Sequence, residues 1–477
     1  MIKNKMNIVV VTALCAVTFN ACVPALKVRD RELNLPETFV ENQTDSLELN
    51  QLDRSQFFKD EHLISLINTA LEHNQELQMV LQQVAIAKNK VQFKKGEYLP
   101  FIFLNAGAER EKVGELTRNG AVEKNLPIEE GIEFPEPLSN YNLSVSAFWE
   151  LDIWKKLRNE KKAALMEYLA SQEGRNFSIT QLVSEVSSLY YELVALDNQL
   201  MLIDQNLKLQ ERALEMVKLQ KSAARVSELA VKRFEAELYK NKSHRLELVQ
   251  ETISVENELN FLLGRTPQTI ERSSIDFIDQ PITPLSMGVP SQLIQNRPDI
   301  KQAELELKAA KLDVKAARAN FYPSLGLKAR IGVESYDRQK LNQLPESLLH
   351  AVIGDLVAPL INRNAIKSMY KDANNRQLIA LVEYEKTLLE AYIEVQTQHS
   401  KLDNLHTEFE LRTKQVVAMN ESIKLSTDLF QSTRIEYLEV LLAQREALEA
   451  KLELVETKKS QFISTVQMYR YLGGGWQ

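Results

Sequence analysis

Cysteine is the scarcest reactive side chain in this 477-residue sequence, present only as Cys15 and Cys22. Two thiols supply neither a disulfide scaffold nor a cysteine zinc cluster. Cys22 closes the run Val17-Thr18-Phe19-Asn20-Ala21-Cys22, which follows a start carrying Lys3 and Lys5 and the apolar stretch Ile8 to Phe19. That order reads as a secretory signal, with an apolar run too short to span a bilayer comfortably. A small residue followed by cysteine resembles a lipid-attachment signal, although Phe19 stands where leucine is usual. Cleavage after residue 21 would discard Cys15 and leave Cys22 as the expected lipidation site; ordinary cleavage nearby would leave Cys22 a free thiol. The six histidines, His62, His73, His244, His350, His399 and His406, are scattered. Only His399 and His406 share a helical face by spacing, and two imidazoles without a third ligand do not make a metal site. No glycine-rich phosphate loop, metal motif or nucleophile elbow occurs. No catalytic residue, cofactor or bound metal is expected.

Composition points to long elements and few loops. Glycine and proline number 14 each, well below average usage. With 58 basic against 65 acidic side chains the net charge is −7, which argues against a nucleic-acid partner. No stretch after the signal approaches ~18 uninterrupted apolar residues, so membrane entry by the mature chain requires a closed β-barrel.

The sequence carries one plan twice. A shift of 209 residues superimposes Leu263-Gly264 on Leu472-Gly473, Leu193 on Leu402 and Arg225 on Arg434. Nearer each start the shift becomes 223, as from Pro100 to Pro323 and from Val91 to Val314. The first copy therefore carries a longer insertion between Pro100 and Trp149. The expected organisation is a signal at 1–21, an extended segment at 22–56, a first repeat at 57–266, a linker at 267–298 and a second repeat at 299–477. Five prolines, Pro267, Pro281, Pro284, Pro290 and Pro298, exclude regular helix from the linker.

Each repeat reads as helix, strand pair, very long helix, turn and helix. Leu182, Val186, Leu189, Leu193, Leu196, Leu200, Ile203 and Leu207 alternate spacings of four and three, a period that supercoils helices. A weaker stripe, Val183, Tyr190, Val194 and Met201, gives the same helix a second seam, as a ring of helices needs. From Leu151 to about Ser222 such a helix would extend ~105 Å. Breaks are expected near Ala224, with Ser227 as a cap, and near Ser432, with Thr433 and Glu436 as a capping box. Leu325, Leu327, Ala329, Ile331 and Val333 alternate with polar residues and glycine, giving a greasy face and a polar face. Leu143, Val145, Ala147 and Trp149 alternate likewise; strands at Pro100–Glu109 and Leu348–Val357 are less regular. Lipid outside and water inside demand this alternation. A small soluble sandwich on a helical stalk is the competing architecture. Four strands are too few for a barrel, for which about eight is the minimum, so several chains must share one.

The chain resembles the TolC-like outer-membrane efflux factors, in their lipoprotein branch. The resemblance rests on Asn34-Leu35-Pro36-Glu37-Thr38-Phe39, Leu66-Ile67-Asn68-Thr69-Ala70-Leu71 and Trp149-Glu150-Leu151-Asp152-Ile153-Trp154. Phe261-Leu262-Leu263-Gly264-Arg265, Arg297-Pro298-Asp299-Ile300, Asn320-Phe321-Tyr322-Pro323 and Leu472-Gly473-Gly474-Gly475-Trp476 complete it in order. It implies a mainly α fold with a transmembrane β part and a homotrimer forming a 12-stranded β-barrel and a long periplasmic α-helical barrel. It also implies a lipid-anchored place in the outer membrane, a periplasmic adaptor and an inner-membrane RND-type pump as partners, and efflux of drugs or other small molecules. By the same likeness Leu425 and Asp428 are candidates for the periplasmic constriction, with Arg434 as ion-pair partner. The tips carry Ala224 and Thr433 where the family usually has glycine, and Pro359-Leu360-Ile361-Asn362 replaces a Phe-Asp-Gly-Gly run. The alternatives are a lipid-anchored adaptor or stalk without a pore, the channel of a one-step protein secretion system, and a secreted enzyme on a coiled-coil scaffold.

Overall fold

The computed structural model describes residues 36, 54–273, 277–282, 290–359, 363–432 and 435–476. The signal, Cys22, most of the segment 22–56, Thr433 and Arg434 lie outside the described residues. In chain order the elements are α1 (Arg54–Phe57), α2 (Glu61–His73), α3 (Gln75–Glu97), β1 (Phe101–Glu111), α4 (Arg118–Asn125), β2 (Pro127–Glu129), β3 (Ile132–Glu133) and β4 (Leu138–Leu151). There follow α5 (Lys156–Ser222), α6 (Glu228–Leu262), α7 (Pro290–Asn296), α8 (Pro298–Ala319), β5 (Ser324–Ser335), β6 (Leu348–Val357), α9 (Asn364–Gln431) and α10 (Tyr437–Tyr471). The helices α5 and α9 have 67 and 68 residues. Neither contains proline, and their single glycine is Gly174.

Two compact units divide the chain. One comprises Ile86–Leu169 and Leu305–Val382 and holds a four-stranded antiparallel sheet in the order β1-β4-β5-β6. Its register sorts side chains by face, because directly paired residues share one side. Leu104, Val145, Ile331 and His350 form one row, and Ile102, Ala147, Ala329 and Val352 form the next. The side they belong to is apolar in nearly every row. On the opposite side Phe103, Ser146, Arg330 and Ala351 make one row and Asn105, Ser144, Gly332 and Leu349 another. Each outer strand, β1 and β6, has one neighbour. The β1–β4 connection carries α4 and the β2–β3 ribbon, matching the longer insertion expected in the first half. It meets the β5–β6 connection where the Tyr336 hydroxyl donates to Glu129 at 2.6 Å.

The second unit includes Ala170–Glu304 and Glu383–Gln477 together with the described residues up to Ala85. The expected seams of α5 are its core. Leu182, Val186, Leu193, Ile203 and Leu207 are buried, as are Val183, Tyr190 and Val194, whereas Met201 is half exposed. At the two helix ends in this unit one joint is built twice. Asn74 Nδ2 donates to the Leu262 carbonyl at 2.9 Å, and Arg297 Nη1 donates to the Tyr471 carbonyl at 3.2 Å. After each carbonyl stands a glycine with positive φ, Gly264 at 65° and Gly473 at 90°. A Cβ on Gly264 would lie 2.3 Å from the His73 carbonyl oxygen, and one on Gly473 would lie 2.8 Å from that of Asn296. No L side chain fits either place.

Two expectations need correction. The linker is not free of helix: Pro290 opens α7 and Pro298 opens α8, because proline at a first helical position loses no hydrogen bond and has its φ preset. No capping box forms at the second tip. Glu436 is itself the N-cap of α10, with no side-chain cap bond, so it cannot stand three residues into the helix. At the first tip Ser227 does cap α6, accepting from the Ala230 amide at 3.4 Å, and Ala224 takes a left-handed φ of 57°.

Candidate channel wall and constriction

The wall begins with the sheet. On its apolar side Ile102, Leu104, Val352 and Leu356 are each at least 70% exposed, an apolar display that a soluble surface does not carry. On the other side polar groups bond to each other. Lys328 pairs with Asp355 at 2.5 Å, and Arg330 Nε donates to Ser144 Oγ at 3.0 Å. Asn140 Nδ2 donates to Glu334 at 2.7 Å, and Asn105 Nδ2 to Ser146 at 2.8 Å. One side suits hydrocarbon and the other suits water.

In the same unit, α3, α5, α8 and α9 line an open cavity of about 480 Å³. Its charges are Lys90, Lys94, Glu160, Glu167, Asp313, Asp372 and Arg376, set among alanines. Lys90 pairs with Glu167 at 2.5 Å and Lys94 with Glu160 at 2.9 Å. Burial, then the nearby Glu167 carboxylate, pushes the Asp313 carboxyl above its ordinary range. These residues come from four helices spread over more than two hundred positions. Only the second of the two shifts, which brings Lys90 opposite Asp313, hinted at their meeting.

The expected constriction lies at the second tip. Leu425 is 61% exposed on the last turns of α9. Asp428 is also exposed, and its backbone carbonyl accepts from the Ser432 amide at 3.2 Å and hydroxyl at 3.1 Å. The carboxylate of Asp428 has no ion-pair partner among the described residues. Its expected partner Arg434 lies outside them. Ring contacts organise this tip: Phe430 meets Tyr437 edge-on with centroids 4.5 Å apart, and Tyr437 meets Phe234 of α6 at 4.7 Å. Sequence reasoning missed this aromatic set, whose members carry no shared period. The first tip is stitched by charge instead, through Lys218 with Glu235 at 3.3 Å, Lys232 with Glu235 at 2.9 Å, and Lys221 with Glu228.

His399 and His406 do not converge on a common ligand. Each faces the carboxylate one turn on, Asp403 at 3.3 Å and Glu410 at 3.6 Å. Among the described residues no group of three His, Cys, Asp or Glu is placed to hold a metal ion, and no helix is long and apolar enough to cross a membrane.

Comparison with known proteins follows the same outline. The family model described as outer membrane efflux protein matches this chain twice, over residues 66–265 and 289–474. The chain is 29% identical over 437 residues to the toluene efflux pump outer membrane protein TtgF of Pseudomonas putida, covering 91% of this chain and 87% of that one. It is 24% identical over 421 residues to the cation efflux system protein CusC of Escherichia coli, covering 88% of each. Among solved structures, the open state of the Neisseria gonorrhoeae MtrE outer membrane channel superimposes with a TM-score of 0.84 at 23% identity, over 96% of this chain and 99% of that one. CusC superimposes with a TM-score of 0.79 at 23% identity, over 95% and 100%. This chain belongs to the outer membrane efflux protein family.

Proposed function

We propose that the chain is the outer-membrane channel of a tripartite efflux pump, passing drugs or other small molecules from a periplasmic adaptor and an inner-membrane RND-type transporter to the outside. The observation that carries this reading is the four-stranded sheet, apolar on one side and hydrogen-bonded polar on the other, with both edges open. Four strands cannot close. Three copies supply twelve strands, remove the edges and satisfy every backbone group that hydrocarbon would leave unpaired. The long helices, paired within each copy, then form the periplasmic tunnel. Cys22, carrying lipid, tethers each copy to the membrane it enters.

The tandem-repeat reading, 57–266 and 299–477 on either side of the linker 267–298, is supported by the doubled joint at Asn74–Leu262 and Arg297–Tyr471 and by the two family matches. Leu425, Asp428 and Arg434 form the constriction in this reading, where threefold symmetry triplicates each side chain. An exposed Asp428 carboxylate on each copy then lines the narrow end with acidic groups, with Arg434 as its ion-pair partner.

The experiment is conductance in planar bilayers together with solute accumulation in a strain lacking the gene. The purified protein is expected to give discrete single-channel steps, and its loss to raise accumulation of exported dye. Asp428→Ala is expected to change conductance and reduce cation preference. A protein without conductance whose loss leaves accumulation unchanged is not this channel. Unchanged conductance and selectivity in Asp428→Ala removes that residue from the constriction.

A further inference from the structure

The polar side of the sheet is interrupted by apolar residues at one end of its outer strands. Along β4 and β5 it presents Ser144, Ser146, Lys328 and Arg330, whereas β1 begins with Phe101 and Phe103 and β6 ends with Ile353 and Val357. The register places Phe101 and Ile353 in one row, through Phe148 and Lys328. Phe148 is the apolar exception on the central strands: it pairs with Phe101, and its ring lies 3.7 Å from the position a Cβ on Gly326 would take. Phe101 and Phe103 stack with centroids 6.3 Å apart. They remain 45% and 53% exposed, and Ile353 and Val357 remain 51% and 63% exposed.

Apart from Asp355, which pairs with Lys328 of β5, both faces of the edge strands are therefore apolar around Phe101, Phe103, Ile353 and Val357, where a water-facing wall would require polar residues on one. Burial against neighbouring strands accounts for this pattern. Within one copy β1 has β4 on one side and β6 has β5, and neither has a second neighbour. An even number of antiparallel strands leaves β1 and β6 running in opposite directions, so β6 of one copy continues the sheet antiparallel to β1 of another. Residues facing each other across such a pair bring their Cβ atoms to ~4.5–5.5 Å. The occupant that fits is a second copy of this chain.

We propose that Phe101 and Phe103 of one copy pack on Ile353 and Val357 of the next, so that each subunit boundary carries an apolar seam on the water side as well as on the lipid side. These side chains fasten subunits and are not a surface that meets passing solutes. The proposal rests on the trimeric reading above and adds which residues hold it together.

Two measurements test it on the full-length lipoprotein. In the first, Phe101→Thr with Phe103→Thr, and separately Ile353→Thr with Val357→Thr, place β-branched side chains that suit a strand and remove the apolar contact. Trimer surviving in dodecyl sulfate on a temperature ramp is expected to fall roughly tenfold or more in each, as loss of several buried apolar groups implies. In the second, cysteines are paired on one chain as Phe101→Cys with Ile353→Cys, Phe103→Cys with Ile353→Cys, and Phe101→Cys with Val357→Cys. Within a copy these strands stand three spacings apart, ~14 Å, too far for a disulfide. Covalent trimer from at least one pair under oxidant, with none from the single cysteines, is the expected result. A wild-type trimer whose threonine variants are undiminished and whose cysteine pairs stay unlinked overturns the seam alone. A monomeric wild type overturns the trimeric reading and the seam together.

Discussion

The two joints share a backbone and differ in their donor. At both, a side chain from the start of one helix reaches a carbonyl at the end of another, and a glycine with positive φ lets the chains approach. In the first the donor is the neutral Asn74, buried, whose Oδ1 also accepts from the Leu77 amide at 2.8 Å. In the second it is Arg297, also buried, paired with Asp299 at 2.6 Å and with Glu394 of α9 at 2.8 Å. The amide joins two helix ends; the guanidinium joins α8, α9 and α10. Burial alone disfavours charge on Arg297, but its carboxylate partners outweigh that and raise its pKa. The tips reverse the contrast: the first is held by ion pairs and the second by Phe430, Tyr437 and Phe234.

Each side of this comparison is open to attack by substitution. Arg297→Ala strands two carboxylates in a site built for a cation and is expected to cost ~3–5 kcal/mol, the largest loss in the set. Thermal melting of the helical signal in detergent checks it. Gly264→Ala and Gly473→Ala both force a Cβ onto a carbonyl at positive φ, and each should cost roughly 1–3 kcal/mol. Near-equal losses would show that the two backbones are equivalent, and widely unequal ones would break the analogy. Asn74→Ala leaves one buried carbonyl and one amide unsatisfied for about 1–3 kcal/mol, below Arg297→Ala in the same assay.

The smallest effect is at the tips and depends on pH. Hydrogen bonds from Lys221 to Glu228 and from Lys232 and Lys218 to Glu235 hold both carboxyls below the ordinary 4.5. A depressed carboxyl stabilises the folded state above 4.5 and ceases to as pH falls through its folded value. Amide exchange, corrected for its intrinsic pH dependence, should therefore lose protection at residues 218–235 on acidification below about 4.5 or in about 1 M salt, which screens exposed pairs. The second tip, residues 425–432 and 437–443, where Phe430 meets Tyr437, has no such dependence. Equal acid sensitivity of these two regions would remove the distinction.

Much of the architecture was legible because long elements repeat their period often. The α5 stripe marks one face over eight apolar positions, and Leu325 to Val333 alternate cleanly because β5 is a central strand with one apolar and one polar side. β6 reads poorly for a physical reason: Leu349, Ala351 and Ile353 make its second face largely apolar too, which leaves little alternation to read. The joints were visible only as the motifs around Asn74, Arg297 and the two glycines; their meeting links positions 188 and 174 residues apart. The capping box failed because Thr433 and Glu436 have the right types at the right spacing while the helix starts one residue after Glu436. Spacing alone does not fix where a helix begins.

The most direct test is the environment of the sheet. Nitroxide labels placed singly along the four strands of the reconstituted protein report contact with oxygen, which enriches in hydrocarbon, and with a polar nickel chelate, which stays in water. Labels at Ile102, Leu104, Val352 and Leu356 are expected to favour oxygen, and labels on the central strands at Ser146 and Lys328 to favour the chelate. Chelate access of the same strength at all six positions would place the sheet in water on both sides and contradict the channel.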